Sequence, residues 1–489
     1  MTLSTREKDL LRSTPSDLYI TGTWIPATRG TTFAVTDPAT GLTLKNIADA
    51  SPEDGMRALD AAVAAQDSWA ATAPRTRGEL LRHAFDALMS RAEDFALLMT
   101  LEMGKPLAEA RGEVAYGGEF LRWYSEEAAR ISGRYGPNPE GTGNMIISQK
   151  PVGPCLLITP WNFPLAMATR KIAPALAAGC TVVIKPAAQT PLTTLAFVQL
   201  LEQVGLPPGV VNVITTSTSA KVAAPILADP RLRKLSFTGS TSVGRALIRE
   251  AATGVLRTSM ELGGNAPFIV FEDADLDRAV DGAMLAKFRN AGQACTAANR
   301  FIVHESVAAE FTARVTERVI AMRVGRGTDD GVTIGPLIDA KAVSSVHELV
   351  QDAVERGAQI LTGGSPLDRE GTFYSPTVLG EVHPESRLLK EEIFGPVLGI
   401  TTFSSEDDAV RCANDTEYGL MSYVFTNDLG RGHRMINRLA TGLMALNTGL
   451  ASNAAAPFGG VKQSGIGREG GIEGIQEYLD TKYTLLPTS

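Results

Sequence analysis

The sequence predicts an α/β protein: a Rossmann-type, doubly wound parallel sheet joined to a second α/β domain. Three observations predict it. Between about 153 and 262, short β-branched or apolar runs alternate with helical patterns, the spacing of βαβ units. A second alternating region follows, with its own interleaved helices. A chain of 489 residues also exceeds what a single core usually covers, so two or three domains are expected.

Taken in order, residues 52–132 carry apolar positions at helical spacing, as in "MRALDAAVAAQDSWA" and "ELLRHAFDALMSRAEDFALLMTLEM", and read as helices covering something larger. Glycine and proline punctuate "ISGRYGPNPEGTGN", after which "MIISQKPVG" alternates like a strand or hairpin arm. Strands are predicted at 155–161, 181–185, 210–215, 234–239 and 257–262, with helices at about 166–178, 191–204, 218–228 and 242–252. The second region supplies "NAPFIVF", "RFIVH", "PVLGITTF" and "YVFTND" as strands and "AVSSVHELVQDAVERG" as a helix. The tail "GIEGIQEYLDTKYTLLPTS" ends strand-like, suited to pairing with another element or another subunit.

Composition narrows the function classes. With 44% apolar and 20% charged residues the chain reads as an ordinary soluble globular protein. A net charge of −8, with no stretch rich in lysine or arginine, argues against nucleic acid and against acidic membrane surfaces as partners. The N-terminus has no apolar core of signal-peptide length, and the longest low-polarity run, "IAPALAAGCTVVI", holds a proline and a glycine and is too short to span a bilayer. The four cysteines (155, 180, 295, 412) have neither disulfide-framework nor zinc spacing. The expectation is a cytoplasmic protein with no metal.

Ligands of open parallel sheets bind beyond the carboxyl ends of the strands. Those ends deliver Trp161 and Asn162, Lys185, Gly239 and Ser240, and Glu261. The turn "TGSTSVGRA" opens a helix whose free N–H groups suit a phosphate. It fails as a P-loop because Arg245 and Ala246 replace the lysine and hydroxyl, and it is not GxGxxG either. Two further motifs are set aside: "DADLDRAVDG" lacks the glycine and glutamate of a calcium loop, and the "FGG" of "APFGGVKQSGIGRE" follows no clear strand–helix context. Cys295, in "NAGQACTAANR", is by its type alone either a small packed residue or a nucleophile. None of the five histidines sits in a motif-like context, so a nucleophilic Cys295 would be served by a carboxylate.

Taken together, "TPWNFP", "AAGCTVVIKPAAQTP", "FTGSTSVG", "ELGGNAPFIVF", "NAGQAC", "EEIFGPV" and "PFGGVKQSGIGRE" resemble the aldehyde dehydrogenase superfamily over essentially the whole chain. The resemblance implies a dinucleotide-binding domain from 1–128 and 152–262, and a catalytic domain from 263–455. It also implies a small oligomerisation arm from 129–151 and 470–489, whose tail extends a neighbour's sheet in a homodimer or homotetramer. Cys295 would attack the aldehyde, Asn162 and the Cys295 N–H would hold the oxyanion, and Glu261 would activate the hydrolytic water. Thr159, Pro160, Trp161, Lys185, Gly239, Ser240 and Leu262 would line the dinucleotide, with Glu392 on the nicotinamide ribose and Phe394 against the nicotinamide. Many NAD-preferring relatives carry a glutamate three residues after the strand-end lysine; here Ala188 leaves room for a 2′-phosphate, so NADP is expected ahead of NAD.

Within the superfamily "AMATRKIAPALAAGC", "KFRNAGQAC", "GVTIGPLID" and "NTGLASNAAAPFGG" resemble the succinate-semialdehyde dehydrogenases, which implies a place in 4-aminobutyrate degradation. Their substrate is a small carboxylated aldehyde, and Arg170, Arg289 and Ser452 match the residues that grip its carboxylate. Glutarate semialdehyde, another small ω-carboxy aldehyde or a broad aliphatic range remain alternatives, as do a CoA-acylating enzyme and a non-enzymatic scaffold of the same fold. Ala297 stands where some relatives place a second cysteine, so no local disulfide switch is expected.

Overall fold

Five parallel strands, Cys155–Ile158, Val182–Lys185, Val211–Val213, Lys234–Thr238 and Arg257–Glu261, form the heart of the first sheet in the computed structural model, which describes residues 2–487. Met1, Thr488 and Ser489, at the outer ends of the expected 1–128 and 470–489 segments, lie outside the described residues. The Cys155–Ile158 strand is central: it pairs with Val182–Lys185 on one side and Lys234–Thr238 on the other. The chain therefore builds outward in one direction, returns and builds in the other. That reversal opens a crevice beyond the carboxyl ends, between the first strand and the strand begun at Lys234. The connecting helices are Pro164–Ala178, Leu192–Gln203, Ser219–Ala228 and Thr241–Thr253.

The sheet is wider than the sequence pattern predicts. A hairpin, Leu18–Ile20 with Thr23–Ile25, extends one edge, and Gly465–Ile466 pairs antiparallel with Arg257–Glu261 at the other. Strands of two or three residues are too short to show an alternation, which is why they escape sequence reading. The predicted helical stretch at 52–132 resolves into Pro52–Ala71, Pro74–Ser90, Ala92–Met103 and Leu107–Glu127. The third ends at Gly104, whose φ of 93° is the left-handed conformation that glycine adopts without strain.

The second sheet runs in the order Gln359–Thr362, Thr377–Gly380, Val397–Phe403, Ala298–His304, Ala266–Val270, Met421–Phe425 and Leu443–Leu446, parallel except for the first pair. Residues 262–265 join the end of Arg257–Glu261 to the start of Ala266–Val270. The carboxyl edge of the first sheet thus faces the amino edge of the second.

A third sheet is the arm: Leu479–Pro487 pairs antiparallel along the whole of Gly143–Pro151, which pairs with Arg134–Pro137. The tail is paired on one side with another element of its own chain, one of the two pairings the sequence allows, and its other edge stays open among the described residues. Tyr135, Tyr483, Leu485 and Leu486 are exposed on this arm. No helix among the described residues is long and apolar enough to cross a membrane.

Buried carboxylates stand at two helix starts. Glu113 accepts N–H groups from Leu165 and Ala166 at 3.0 and 3.2 Å, and Glu102 accepts those of Leu192 and Thr193 at 2.7 and 2.9 Å. These are donors that no turn of their own helix can satisfy. Glu102→Ala leaves two buried N–H groups unpaired and is expected to destabilise the protein by about 2–4 kcal/mol, with Glu102→Gln losing less; the midpoint of denaturant-induced unfolding checks this.

Candidate active site

The crevice contains a cavity of about 240 Å³. The first sheet contributes Pro160, Trp161 and Asn162 past its central strand, Thr238, Gly239 and Ser240 past the fourth, and Leu262 and Gly263 past the fifth. Phe163 and Met167 line it too, and the second domain closes it with Cys295, Glu392 and Phe394. Trp161 and Phe394 meet edge to face at 5.4 Å. Phe394 has a φ of 50°, a strained conformation for a bulky residue that persists only where its surroundings impose it.

Cys295 follows a run of three left-handed residues, Asn290, Ala291 and Gly292, with φ of 56°, 54° and 72°. Such a run costs roughly 1–2 kcal/mol for each residue that is not glycine, and a set of hydrogen bonds holds it. Asn290 donates its N–H to Glu109 at 2.7 Å and its side-chain amide to the carbonyls of Asn162 and Gln293 at 3.0 Å. Gln293 in turn accepts the Ile338 N–H at 2.9 Å. Glycine is required beside the nucleophile, because a Cβ on Gly264 would stand 2.3 Å from the Cys295 carbonyl oxygen.

Burial pushes the Cys295 thiol up to about 12; the Arg170 charge pulls it down, and Glu392 and Glu261 push it further up. The resting sulfur is therefore a protonated thiol at neutral pH, and attack needs a base. Asn162 donates one N–H of its side-chain amide to the Gln293 carbonyl at 3.0 Å, which leaves the other for a developing oxyanion. Its own carbonyl accepts from Lys105 at 2.8 Å. Lys105 is ion-paired with Glu113 in full burial, so both ends of Asn162 are fixed.

Glu261 stands at the end of its strand, and both of its carboxylate oxygens are buried without a protein partner. Burial holds this carboxyl well above the ordinary range, the Glu469 charge adds to it, and Arg170 and Lys171 oppose it. Glu261 does not line the cavity. The next residue, Leu262, does line it, and a Cβ on Gly459 would approach the Glu261 Oε1 to 2.9 Å. The "FGG" segment set aside above is thus what makes room for this carboxylate.

On the same sheet edge, Lys185 donates to the Pro186 carbonyl at 2.8 Å, and burial alone lowers its ammonium to about 8. Thr159 donates its N–H to the Lys185 carbonyl, and the hydroxyls of Thr159 and Thr238 are buried without partners. Ser240 caps Thr241–Thr253 by accepting the Val243 N–H at 3.4 Å. Ala188 is half-buried in the loop after Lys185. Unpartnered hydroxyls, a buried cation and a helix start along one edge fit a dinucleotide. Glu392 accepts the Gly264 N–H at 3.0 Å, and burial pushes its carboxyl up to about 7. No cluster of His, Cys, Asp or Glu among the described residues could hold a metal ion.

A second cavity of about 320 Å³ lies on the other side of Phe163, which lines both. Arg289 and Ser452 line it together with Lys105, Glu109, Glu113 and Tyr116. Arg170 does not join them, and the expectation for it is corrected. Its side chain is 1% exposed, ion-paired with Glu469 at 2.5 Å and stacked over Phe458. Its neighbour Lys171 pairs with the same carboxylate. Helix position told how far Arg170 lies from Asn162, not which face it shows.

Several residues that shape the site have no role assigned from the sequence: Asn290 and Gln293 lie in "NAGQAC" and Glu469 ends "PFGGVKQSGIGRE", while Lys105, Glu109 and Glu113 fall outside every motif quoted above. The nearest to a signal for these three is "GKPLAEARGE", a lysine and two glutamates at helical spacing, a pattern that solvent-exposed helices share.

Residues 24–484 match the sequence profile of the aldehyde dehydrogenase family. The chain is 60% identical, over 90% of its length and 98% of the relative's, to a succinate-semialdehyde dehydrogenase of Paenarthrobacter nicotinovorans. It is 47% identical, over 95% and 96% of the two chains, to the NADP(+)-linked succinate-semialdehyde dehydrogenase GabD of Escherichia coli. The crystal structure of an E. coli NADP-dependent enzyme superposes with a TM-score of 0.96 at 45% identity, covering 98% of this chain and 99% of that one.

Two outcomes follow from the geometry. Alkylation of Cys295 by iodoacetamide, read by mass spectrometry on protein without dinucleotide, should rise about tenfold per pH unit from 7 to 10 without a plateau, because only the thiolate reacts. Gly264→Ala should lower kcat by about 10²-fold, the scale of an ångström-sized displacement of a reacting atom, with the circular dichroism spectrum unchanged.

Proposed function

The chain belongs to the aldehyde dehydrogenase family, and from that premise we propose that it oxidises succinate semialdehyde to succinate, with NADP preferred over NAD. The observation that carries the substrate is the second cavity: Arg289 and Ser452 stand together across Phe163 from Cys295. A cation and a hydroxyl there suit the far-end carboxylate of a short aldehyde whose carbonyl reaches the sulfur. Charge-assisted hydrogen bonds of this kind contribute about 1.5–3 kcal/mol each. Glutarate semialdehyde is the second reading, because one methylene shifts affinity by only about 1–3 kcal/mol.

The preference for NADP is supported by the surroundings of Lys185, whose ammonium feels burial and no carboxylate. With Ala188 nearby, no acid opposes a 2′-phosphate. Lys185, Ser240 and Glu392 would hold the dinucleotide, and Trp161 and Phe394 would flank its nicotinamide.

In the chemistry, Glu261 in its ionised form takes the thiol proton, and the Cys295 sulfur attacks the aldehyde carbon. The oxyanion of the thiohemiacetal receives the free N–H of the Asn162 amide and the Cys295 N–H. The nicotinamide, when bound, supplies the hydride acceptor that leaves a thioester on Cys295. Glu261, its first proton passed to solvent and its side chain turned from its place beside Gly459, deprotonates the water that attacks the thioester, and the Cys295 sulfur leaves and takes up a proton as succinate is released. Residues 1–128 and 152–262 serve the dinucleotide, 263–455 carry the nucleophile, and the arm of 129–151 and 470–489 joins copies into a homodimer or homotetramer through its open edge. The compartment proposed is the cytoplasm.

A kinetic panel crossing both dinucleotides with succinic semialdehyde and butanal tests the reading. Expected are a higher kcat/KM with NADP than with NAD, and one about 10²-fold higher for the acid than for butanal. Ala188→Glu should shift preference toward NAD. Equal values for the two aldehydes would remove the carboxylate grip.

A further inference from the structure

Helix Leu107–Glu127 presents Glu109 and Glu113 one turn apart to the 320 Å³ cavity. Glu113 is compensated: it pairs with Lys105 and accepts two helix-start N–H groups. Lys105 is committed in turn to Glu113 and to the Asn162 carbonyl. Tyr116 adds a hydroxyl. Of the groups facing this space, that leaves Arg289, placed over the Phe163 ring at 5.4 Å, and Glu109 as the uncommitted charges. One cation and one acid therefore share the volume into which the substrate's carboxylate must go.

Glu109 has a second attachment. Its Oε2 accepts the Asn290 N–H at 2.7 Å, at the start of the left-handed run that carries Cys295. A carboxyl oxygen can accept this hydrogen bond whether or not the group is ionised. Two carboxylates in one small site resist joint ionisation, so one of them takes up a proton.

We propose that Glu109 sets the specificity of this cavity, admitting an anionic aldehyde only when its own carboxyl is neutral, so that where Glu109 is ionised in the free enzyme substrate binding takes up one proton from solvent. It is also a positioning residue for Asn290 in either protonation state. The proposal rests on the carboxylated-aldehyde reading given above. Burial pushes the Glu109 carboxyl up to about 7, against the Asn290 hydrogen bond and the charges of Lys105 and Arg289. The sign follows: below about pH 7 the group is neutral and the anion enters unopposed, and above it the ionised form repels the anion.

The test is the ratio of kcat/KM for succinic semialdehyde to that for butanal, from pH 6 to 9 at saturating NADP. Ionisation of Cys295 affects both aldehydes and cancels in the ratio. For the unmodified enzyme the ratio should fall above pH 7, by up to about tenfold per unit. In Glu109→Gln, which keeps the acceptor oxygen and loses the acid, it should stay high and flat. Glu109→Ala, which loses both, should have a lower kcat than Glu109→Gln with either aldehyde. A high ratio that does not change with pH in the unmodified enzyme overturns the role of Glu109 alone. A fall that persists in Glu109→Gln overturns it too and assigns the titration to Lys105, whose ammonium burial lowers. A ratio near one at every pH overturns the substrate reading and the proposal with it.

Discussion

The two sheets can share one reaction centre because residues 262–265 carry the chain from the carboxyl edge of one directly to the amino edge of the other, with Gly264 backbone against the Cys295 carbonyl. Everything chemical in the molecule follows from that approach. The first sheet, by its winding, leaves a crevice where ligand-binding loops gather. The second sheet brings a sulfur to the mouth of the same crevice. Had residue 264 a side chain, the closest backbone contact between Cys295 and the strand junction could not form.

Buried charge is the second organising feature. Lys105 with Glu113, and Arg170 and Lys171 with Glu469, lie almost entirely out of solvent. Such pairs cost desolvation and contribute little net stability. Their effect here is geometric. The first pair fixes Asn162 from behind, and the second surrounds Glu261 with charges of both signs. A carboxylate without hydrogen-bond partners and a thiol held protonated are both poised by the absence of water, so the site's reactivity depends on what enters and which proton moves.

The second cavity extends the same logic to recognition. Phe163 divides the space holding the sulfur from the space holding Arg289, and it is packed by Lys105 and Arg289. Cys295 and Arg289, both in the second domain, thus stand on opposite sides of that ring. The helix Leu107–Glu127, which belongs to neither sheet, supplies the acids that adjust each side.

Local chemistry made much of this legible before any fold was known. The period of the apolar residues located the five strands and four helices of the first sheet, because a strand's alternation and a helix's stripe are imprinted within a few residues. The motif residues Cys295, Asn162, Gly239, Ser240, Glu392 and Phe394 indeed gather in one cavity. What could not be read was which partner a side chain finds across the molecule. Arg170 and Arg289 are equally plausible cations in the sequence, yet one is consumed by Glu469 and the other lines the second cavity. Glu109 gave no sign of its contact with Asn290, 181 positions away. Secondary structure is decided by neighbours along the chain, whereas the pairing of buried charges is decided by which elements pack together, and only the folded molecule contains that information.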